Sequence, residues 1–136
     1  MNERIEFVIS QFAGAGIAIN EQQADQFVKL CDFMVEYNEN VNLTSITEFS
    51  EVVVKHFVDS VLPFTMVDIP RESSFIDVGT GAGFPALPLL IFRPDLRGTL
   101  CDSLNKRCVY LEKACSLVGI KAEIIHARSE ELGRKI

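Results

Sequence analysis

The organisation of this chain follows from one stretch, Ser74-Phe75-Ile76-Asp77-Val78-Gly79-Thr80-Gly81-Ala82-Gly83-Phe84-Pro85. A short apolar run reaches an acid, and three glycines follow at alternate positions before an apolar segment that begins near Pro85. Glycine permits positive φ angles and close approach of a ligand, and proline is tolerated in the first turn of a helix. The stretch predicts a strand, a tight turn and a helix from Phe84 to Phe92. Because N–H groups at a helix start attract carboxylates and phosphates, we interpret the turn as a nucleotide-type cofactor site.

Length and charge narrow the class of protein. The 136 residues suffice for one domain with its own core. With 13 basic and 19 acidic residues, the net charge of −6 argues against broad coating of nucleic acid but leaves room for one docked RNA target. The apolar run 86–92 is far shorter than the roughly 18 to 20 residues of a membrane span, and residues 1–11 lack the apolar core of a secretory signal. We therefore expect a cytoplasmic protein without a membrane partner.

The cysteines carry no metal signature. They show no C-x-x-C spacing and no nearby histidine pair, and they are Cys31, Cys101, Cys108 and Cys115. We expect buried, reduced thiols in a cytosolic protein, and no bound metal.

Helical patterns dominate the first half of the chain. Apolar residues recur at helical spacing over residues 3–12, which predicts a first helix. Asn20 is followed three residues later by a glutamine, which predicts a capping box and a second helix that ends near Tyr37. Thr47 is predicted to cap a third helix that ends at Pro63. Residues 1–67 are therefore interpreted as an N-terminal helical region.

Strand and helix patterns alternate from residue 68 onward. Strands are predicted around 74–78, 98–102 and 122–127, with a helix from Leu104 to Val118 that Gly119 terminates. The alternation predicts a parallel sheet with right-handed crossovers. The fold class is thus α/β, with the helical region followed by a partial Rossmann-like sheet in residues 68–136. Such sheets bind ligands where the strand order reverses, and only one side of that point is present here. We expect the later strands to be absent, so that the chain is a truncated form or is completed by another copy.

Asp102 stands 19 positions after Gly83, at the end of the predicted second strand. An acid at this place in nucleotide-binding sheets accepts hydrogen bonds from both ribose hydroxyls. The alternative is an exposed turn acid or the cap of the next helix.

Two cofactors fit the glycine turn. The spacing Gly81-x-Gly83-x-x-Ala86 satisfies the loose dinucleotide fingerprint, so NAD remains an alternative. Asp77 would repel a pyrophosphate, whereas it suits the ammonium and sulfonium groups of S-adenosylmethionine, whose carboxylate fits the turn. We favour S-adenosylmethionine.

Two further pairs of residues are candidates for function. Ser129 and Glu130 follow the third strand, where they could border an adenine, although they could equally begin a helix. His56 and Asp59 share a helix face. They could form a catalytic pair, but a hydrogen-bonded histidine at the edge of a helical layer is the commoner case.

Four segments together resemble the glucose-inhibited division protein B family, which consists of bacterial 16S ribosomal RNA methyltransferases that modify guanine N7. The segments are the glycine stretch, Tyr37-Asn38-Glu39 with Asn42-Leu43-Thr44, Val54-Lys55-His56-Phe57 with Asp59-Ser60, and Asp102-Ser103-Leu104-Asn105-Lys106-Arg107. The resemblance covers essentially the whole chain. It implies a methyltransferase-type sheet, S-adenosylmethionine as cofactor, and 16S ribosomal RNA in the small ribosomal subunit as partner.

The resemblance also implies roles for single residues. Gly79 and Phe84 would line the methionine end of the cofactor and Asp102 its ribose, and Ser129-Glu130 matches an adenine-side pair that is usually Ala-Glu. Family chains continue through further strands and supply an arginine near the methyl-transfer centre, which nothing here matches. No catalytic residue is assigned, and a non-enzymatic remnant that binds cofactor or a partner is the alternative function. The complete candidate set for the cofactor is Asp77, Gly79, Thr80, Gly81, Gly83, Phe84, Asp102, Ser103, Ser129 and Glu130.

Overall fold

The computed structural model describes residues 2–39 and 41–128. Within these ranges the elements in chain order are α1 (Glu3–Gly14), α2 (Glu21–Tyr37), α3 (Phe49–Glu51), the π-helical segment π1 (Val52–Val58), α4 (Asp59–Thr65), β1 (Ser74–Val78), α5 (Ala86–Phe92), β2 (Arg97–Asp102), α6 (Asn105–Val118) and β3 (Ala122–His126). The segments α3, π1 and α4 follow one another without a break, and we call residues 49–65 the third helix.

The first two helices begin where the sequence predicts. Gln23 N donates to Asn20 Oδ1 at 2.8 Å, and Asn20 N donates to Gln23 Oε1 at 2.9 Å. This reciprocal pair is the predicted capping box, and α2 ends at Tyr37 as expected. Helix α1 continues to Gly14, beyond the predicted end at residue 12. The residue with the positive φ angle that turns the chain away is Gly16 (φ +80), so the two residues before it remain helical or nearly so.

Both predicted ends of the third helix are wrong. Its cap is Glu48 rather than Thr47, because the Glu48 carboxylate reaches the N–H of Glu51 (3.0 Å). The helix also continues past Pro63 to Thr65. A proline removes only one backbone donor, and here it lies close to the end, so the last residues stay helical.

The sheet has the predicted parallel topology. Its order is β1-β2-β3, and Ile76 of β1 aligns with Thr99 of β2, which aligns with Glu123 of β3. In the part of the chain that the structure describes, β1 pairs with β2 alone. On one face of β1, Ile76 and Val78 are 43% and 48% exposed.

The core lies between the sheet and the helices. Leu100 of β2 is fully buried. The position that a Cβ would take at Gly98 lies 2.8 Å from Cζ of Phe75 and 3.0 Å from Cδ1 of Leu90, so α5 packs closely on this face of the sheet. Helix α2 packs against both α5 and α6. Buried side chains of the helical region and of the sheet region form one continuous cluster. The division into residues 1–67 and 68–136 stays a prediction.

All four cysteines are buried and unpaired, as predicted. Burial raises the pKa of the Cys31 and Cys115 thiols to about 11, so these groups stay protonated at neutral pH. Among the described residues, no three His, Cys, Asp or Glu side chains converge in an arrangement that could hold a metal ion. None of the helices in residues 2–39 and 41–128 combines the length and the apolar character needed to cross a membrane.

Candidate functional site

The glycine turn directly follows β1. Its glycines Gly79, Gly81 and Gly83 have φ angles of +70, +61 and +95. No heavy atom lies within 4 Å of the position that a Cβ would take at Gly79 or Gly81. At Gly83 that position lies only 2.5 Å from Cδ1 of Leu87. The first two glycines therefore leave the backbone open to a ligand, while the third permits close packing of the turn against α5.

Much of the turn's backbone is already hydrogen-bonded within the protein. The N–H groups of Gly79 and Thr80 both donate to Cys101 O, at 2.9 and 3.1 Å, and Gly83 N donates to Thr80 O at 3.0 Å. The pairing of β1 with β2 thus continues two residues past the last residue of β1. The N–H groups of these three residues are therefore occupied within the protein.

Helix α5 begins later than predicted. Its first residue is Ala86, and Pro85 precedes it as the cap residue, joined to Phe84 by a cis peptide bond. Pro88 lies in the first turn, where its missing N–H costs little. Phe84 therefore belongs to the turn and not to the helix.

Asp77 is half-buried, one residue before the end of β1. Thr80, which is itself buried, donates its hydroxyl to Asp77 Oδ2 at 3.0 Å. Burial raises the pKa of the Asp77 carboxyl, and hydrogen bonds from Thr80 and from the Ala86 N–H partly offset this effect. A carboxylate that is poorly hydrated in this way gains from a cationic partner.

We expect the Asp77→Asn variant to be at least as stable as the native chain at pH 7. The folded pKa of Asp77 lies above its usual value of 3.8, so its contribution to stability is complete below that value and is lost as the pH rises through the folded pKa. The variant should therefore lose less stability than the native chain between about pH 4 and pH 7 in urea-unfolding experiments. Asp25→Asn, on α2, is the charge-matched control; the Asp25 side chain is 43% exposed and pairs with Lys29. Parallel pH curves for the native chain and the Asp77 variant would contradict this expectation.

Asp102 is the last residue of β2 and is only 2% exposed. Its Oδ2 accepts from Gly81 N and its Oδ1 from Leu104 N, both at 2.9 Å. Nη1 of Arg107 lies 3.8 Å from Oδ1. The carboxylate therefore joins the glycine turn to the segment between β2 and α6. The alternative of an exposed turn acid is wrong, because the two N–H groups hold the side chain inside.

The remaining candidate residues lie around Asp102. Ser103 is exposed, and its carbonyl oxygen accepts a hydrogen bond from Nε2 of His126 at 2.9 Å. Ala127 N donates to Asp102 O at 3.0 Å, which brings the end of β3 beside the end of β2. The predicted adenine-side residues Ser129 and Glu130 lie outside the described residues.

The structure brings His56 to the glycine turn, a contact that the sequence did not predict. Its ring stacks on Phe84, with centroids 4.5 Å apart and an angle of 21°. Its Nε2 lies 2.9 Å from the Thr44 hydroxyl oxygen. Burial lowers the pKa of His56 against the opposing effect of Asp59, which favours the neutral imidazole. The geometry favours the interpretation of a hydrogen-bonded histidine over a catalytic pair with Asp59.

The chain resembles known proteins along its length. A family model described as rRNA small subunit methyltransferase G matches residues 23–136. The protein called ribosomal RNA small subunit methyltransferase G from Thermoanaerobacter sp. (strain X514) is 43% identical over 136 residues, which are 99% of this chain and 57% of the relative. The protein of the same name from Bacillus subtilis (strain 168) is 43% identical over 132 residues, covering 96% of this chain and 55% of that protein.

A third relative of that name, from Clostridium perfringens (strain 13 / Type A), is 44% identical over 121 residues, covering 88% of this chain and 51% of the relative. The chain thus spans about half the length of the curated relatives it matches. The resemblance read from the glycine stretch and the Asp-Ser-x-x-Lys-Arg segment is confirmed. The family model covers most of the chain, and this chain belongs to the rRNA small subunit methyltransferase G family.

Proposed function

We propose that this chain forms the cofactor-binding part of an S-adenosylmethionine-dependent methyltransferase that modifies guanine N7 of 16S ribosomal RNA in the cytoplasm. The observation that carries the proposal is the meeting of Asp77, the open glycines Gly79 and Gly81, and Asp102 where two adjacent parallel strands end. Ligands of open α/β sheets bind at this end of the strands. Family membership supports the reaction class.

The residues present fit the methionine end of this cofactor. The space above Gly79 and Gly81 is free of protein atoms where side chains would otherwise stand. Asp77 supplies a half-buried carboxylate beside that space, and Thr80 orients it. An ammonium group placed there would stabilise the charged form of Asp77. Phe84 supplies an apolar ring at the far side of the turn.

A ribose at Asp102 requires one exchange of hydrogen bonds. Both carboxylate oxygens are occupied by backbone donors in this structure. A ribose hydroxyl could replace the Gly81 N–H as donor to Oδ2, which would leave that N–H facing the ligand. Ser103 is exposed next to this position and could contact the same sugar. Ser129 and Glu130 stay proposed contacts of the adenine.

The proposed reaction requires little acid–base catalysis by the protein. When bound, the cofactor supplies an electrophilic methyl group on a sulfonium. Guanine N7 carries a lone pair and no proton, so the chain's residues contribute by orientation and electrostatics. Asp77 would hold the ammonium end in place, and the glycine turn would keep water and side chains away from the bound ligand.

The binding proposal is tested by calorimetric titration with S-adenosylhomocysteine, which retains the ammonium and carboxylate groups. We expect Asp77→Asn to bind at least about tenfold more weakly than the native chain, because it lacks a charged hydrogen-bond acceptor. Asp25→Asn removes the same charge from a partly exposed side chain of α2 and should bind like the native chain. Equal affinity of the two variants would count against the proposed role of Asp77. Binding of NADH that S-adenosylhomocysteine does not displace would favour the NAD alternative.

A further inference from the structure

We infer that His56 is a positioning residue for the glycine turn, and that it acts through Phe84. Phe84 directly follows the last glycine of the turn, so a contact that fixes its ring also restrains that end of the turn. Two consecutive side chains of π1 contact this ring. His56 stacks on it at 4.5 Å, and Phe57 meets it edge-on at 6.0 Å and 68°.

The π-helical form of residues 52–58 contributes to the contact of His56 and Phe57 with Phe84. In a π-helix the turns are wider than in an α-helix, and such segments are frequent at functional sites. Here Phe57 is fully buried and packs on Phe27 of α2 at 5.0 Å, while His56 is only partly buried. Phe57 thus anchors the segment in the core, and His56 presents its ring face to Phe84.

A contact with Thr44 also determines the orientation of the His56 ring. Its Nε2 lies 2.9 Å from the hydroxyl oxygen of Thr44, which also accepts from Ile46 N at 3.0 Å. Thr44 is in turn held by Asn38, whose Oδ1 accepts from Thr44 N and whose Nδ2 donates to Thr44 O, both at 3.0 Å. A continuous chain of contacts therefore runs from the end of α2 through the 41–47 loop to the glycine turn.

The surroundings of Phe84 explain why this contact matters. A groove of about 440 Å³ runs between the third helix and the turn, and both His56 and Phe84 line it. Phe84 consequently borders open space on its groove side, unlike a ring inside a packed core. Stacked rings attract each other in addition to what their burial contributes. The His56 ring is therefore placed to hold the turn in one conformation, and the relevance of that conformation to a cofactor rests on the proposed function.

The test compares amide hydrogen exchange by NMR in the native chain, His56→Ala, His56→Phe and Lys55→Ala. In His56→Ala we expect the Gly81 and Gly83 amides to exchange about tenfold faster, with the Leu100 amide in the middle of β2 unchanged. His56→Phe retains a ring that can stack and should restore most of the protection. Lys55→Ala removes a neighbouring exposed side chain, which pairs with Glu51, and should behave like the native chain.

The measurement needs no ligand, so its result is independent of the cofactor proposal. Unchanged exchange at Gly81 and Gly83 in His56→Ala would overturn the inference. Equal acceleration at Leu100 would overturn it as well, because the ring would then act only through the stability of the whole fold. If His56→Ala does not fold, Thr44→Val carries the test, since it removes the hydroxyl partner of the ring together with the acceptor of Ile46 N while it keeps the His56 ring itself. Faster exchange confined to the turn supports the inference, and uniform or unchanged exchange overturns it.

Discussion

Replacement of Asp102 by alanine is expected to lower the free energy of unfolding by about 2 to 3 kcal/mol and to abolish measurable binding of S-adenosylhomocysteine. The Asp102 carboxylate accepts one N–H from the glycine turn and one from Leu104 while it is almost completely buried. Alanine leaves the Gly81 N–H without its acceptor, whereas the Leu104 N–H lies at an exposed residue where water can replace the carboxylate. Urea unfolding and calorimetric titration measure the two effects.

The Asp102→Asn variant separates the two roles. Its amide oxygen can accept one of the two N–H groups, so we expect roughly half of the loss in stability, on the order of 1 kcal/mol. A variant that keeps native stability but loses ligand binding would assign Asp102 to the ribose alone. Native stability in Asp102→Ala would contradict the structural role that the hydrogen bonds to Gly81 and Leu104 indicate.

Replacement of Gly83 by alanine is expected to lower the free energy of unfolding by about 3 kcal/mol or more. At φ +95 an L-residue is strained, and the added Cβ would lie 2.5 Å from Cδ1 and 2.7 Å from Cγ of Leu87. Leu87 is completely buried, and Cδ2 of Leu111 lies 3.1 Å from the same point, so the clash cannot be relieved by a simple rotation. The variant should unfold at markedly lower urea concentration than the native chain.

Gly81→Ala is the matched control for this prediction. Gly81 also has a positive φ angle (+61), but no atom lies within 4 Å of its Cβ position. It should therefore show the cost of backbone strain, about 1 kcal/mol, without that of overpacking. Equal losses of unfolding free energy in Gly83→Ala and Gly81→Ala would mean that the clash of the added Cβ with Leu87 adds nothing to the cost of backbone strain. If the cofactor occupies the space above Gly81, this control should retain most of its stability while losing affinity for S-adenosylhomocysteine.

Local patterns predicted most of the elements but not all of their ends. The capping box at Asn20 was predictable because its two partners are three residues apart and satisfy each other's backbone groups. The third helix was harder, because Thr47 and Glu48 are adjacent and both can accept a backbone N–H. Only the conformation of the chain shows that the Glu48 carboxylate reaches residue 51.

The candidate site was predicted in outline and not in its bonding. The glycine turn and Asp102 lie together as expected, because the carboxyl ends of adjacent parallel strands meet at one edge of the sheet. The hydrogen bonds from the N–H groups of Gly79 and Thr80 to Cys101 O and the burial of Asp102 were not predicted. These contacts depend on the register of β1 against β2, which no pattern within a single strand contains.

The amino-acid sequence alone was enough to establish the alternation of strands and helices, the parallel sheet and the residues that gather at its carboxyl edge. Hydrophobic periodicity and turn-forming residues are patterns of residues that lie close together in the sequence, so strands, helices and turns can be predicted from them. Only the tertiary structure decided the partners of the polar and aromatic groups. Asp102 meets Gly81 across 21 residues, and His56 meets Phe84 from a different layer of the fold. Such contacts arise from how the layers pack, because each polar or aromatic group takes the neighbour that the packed core places beside it.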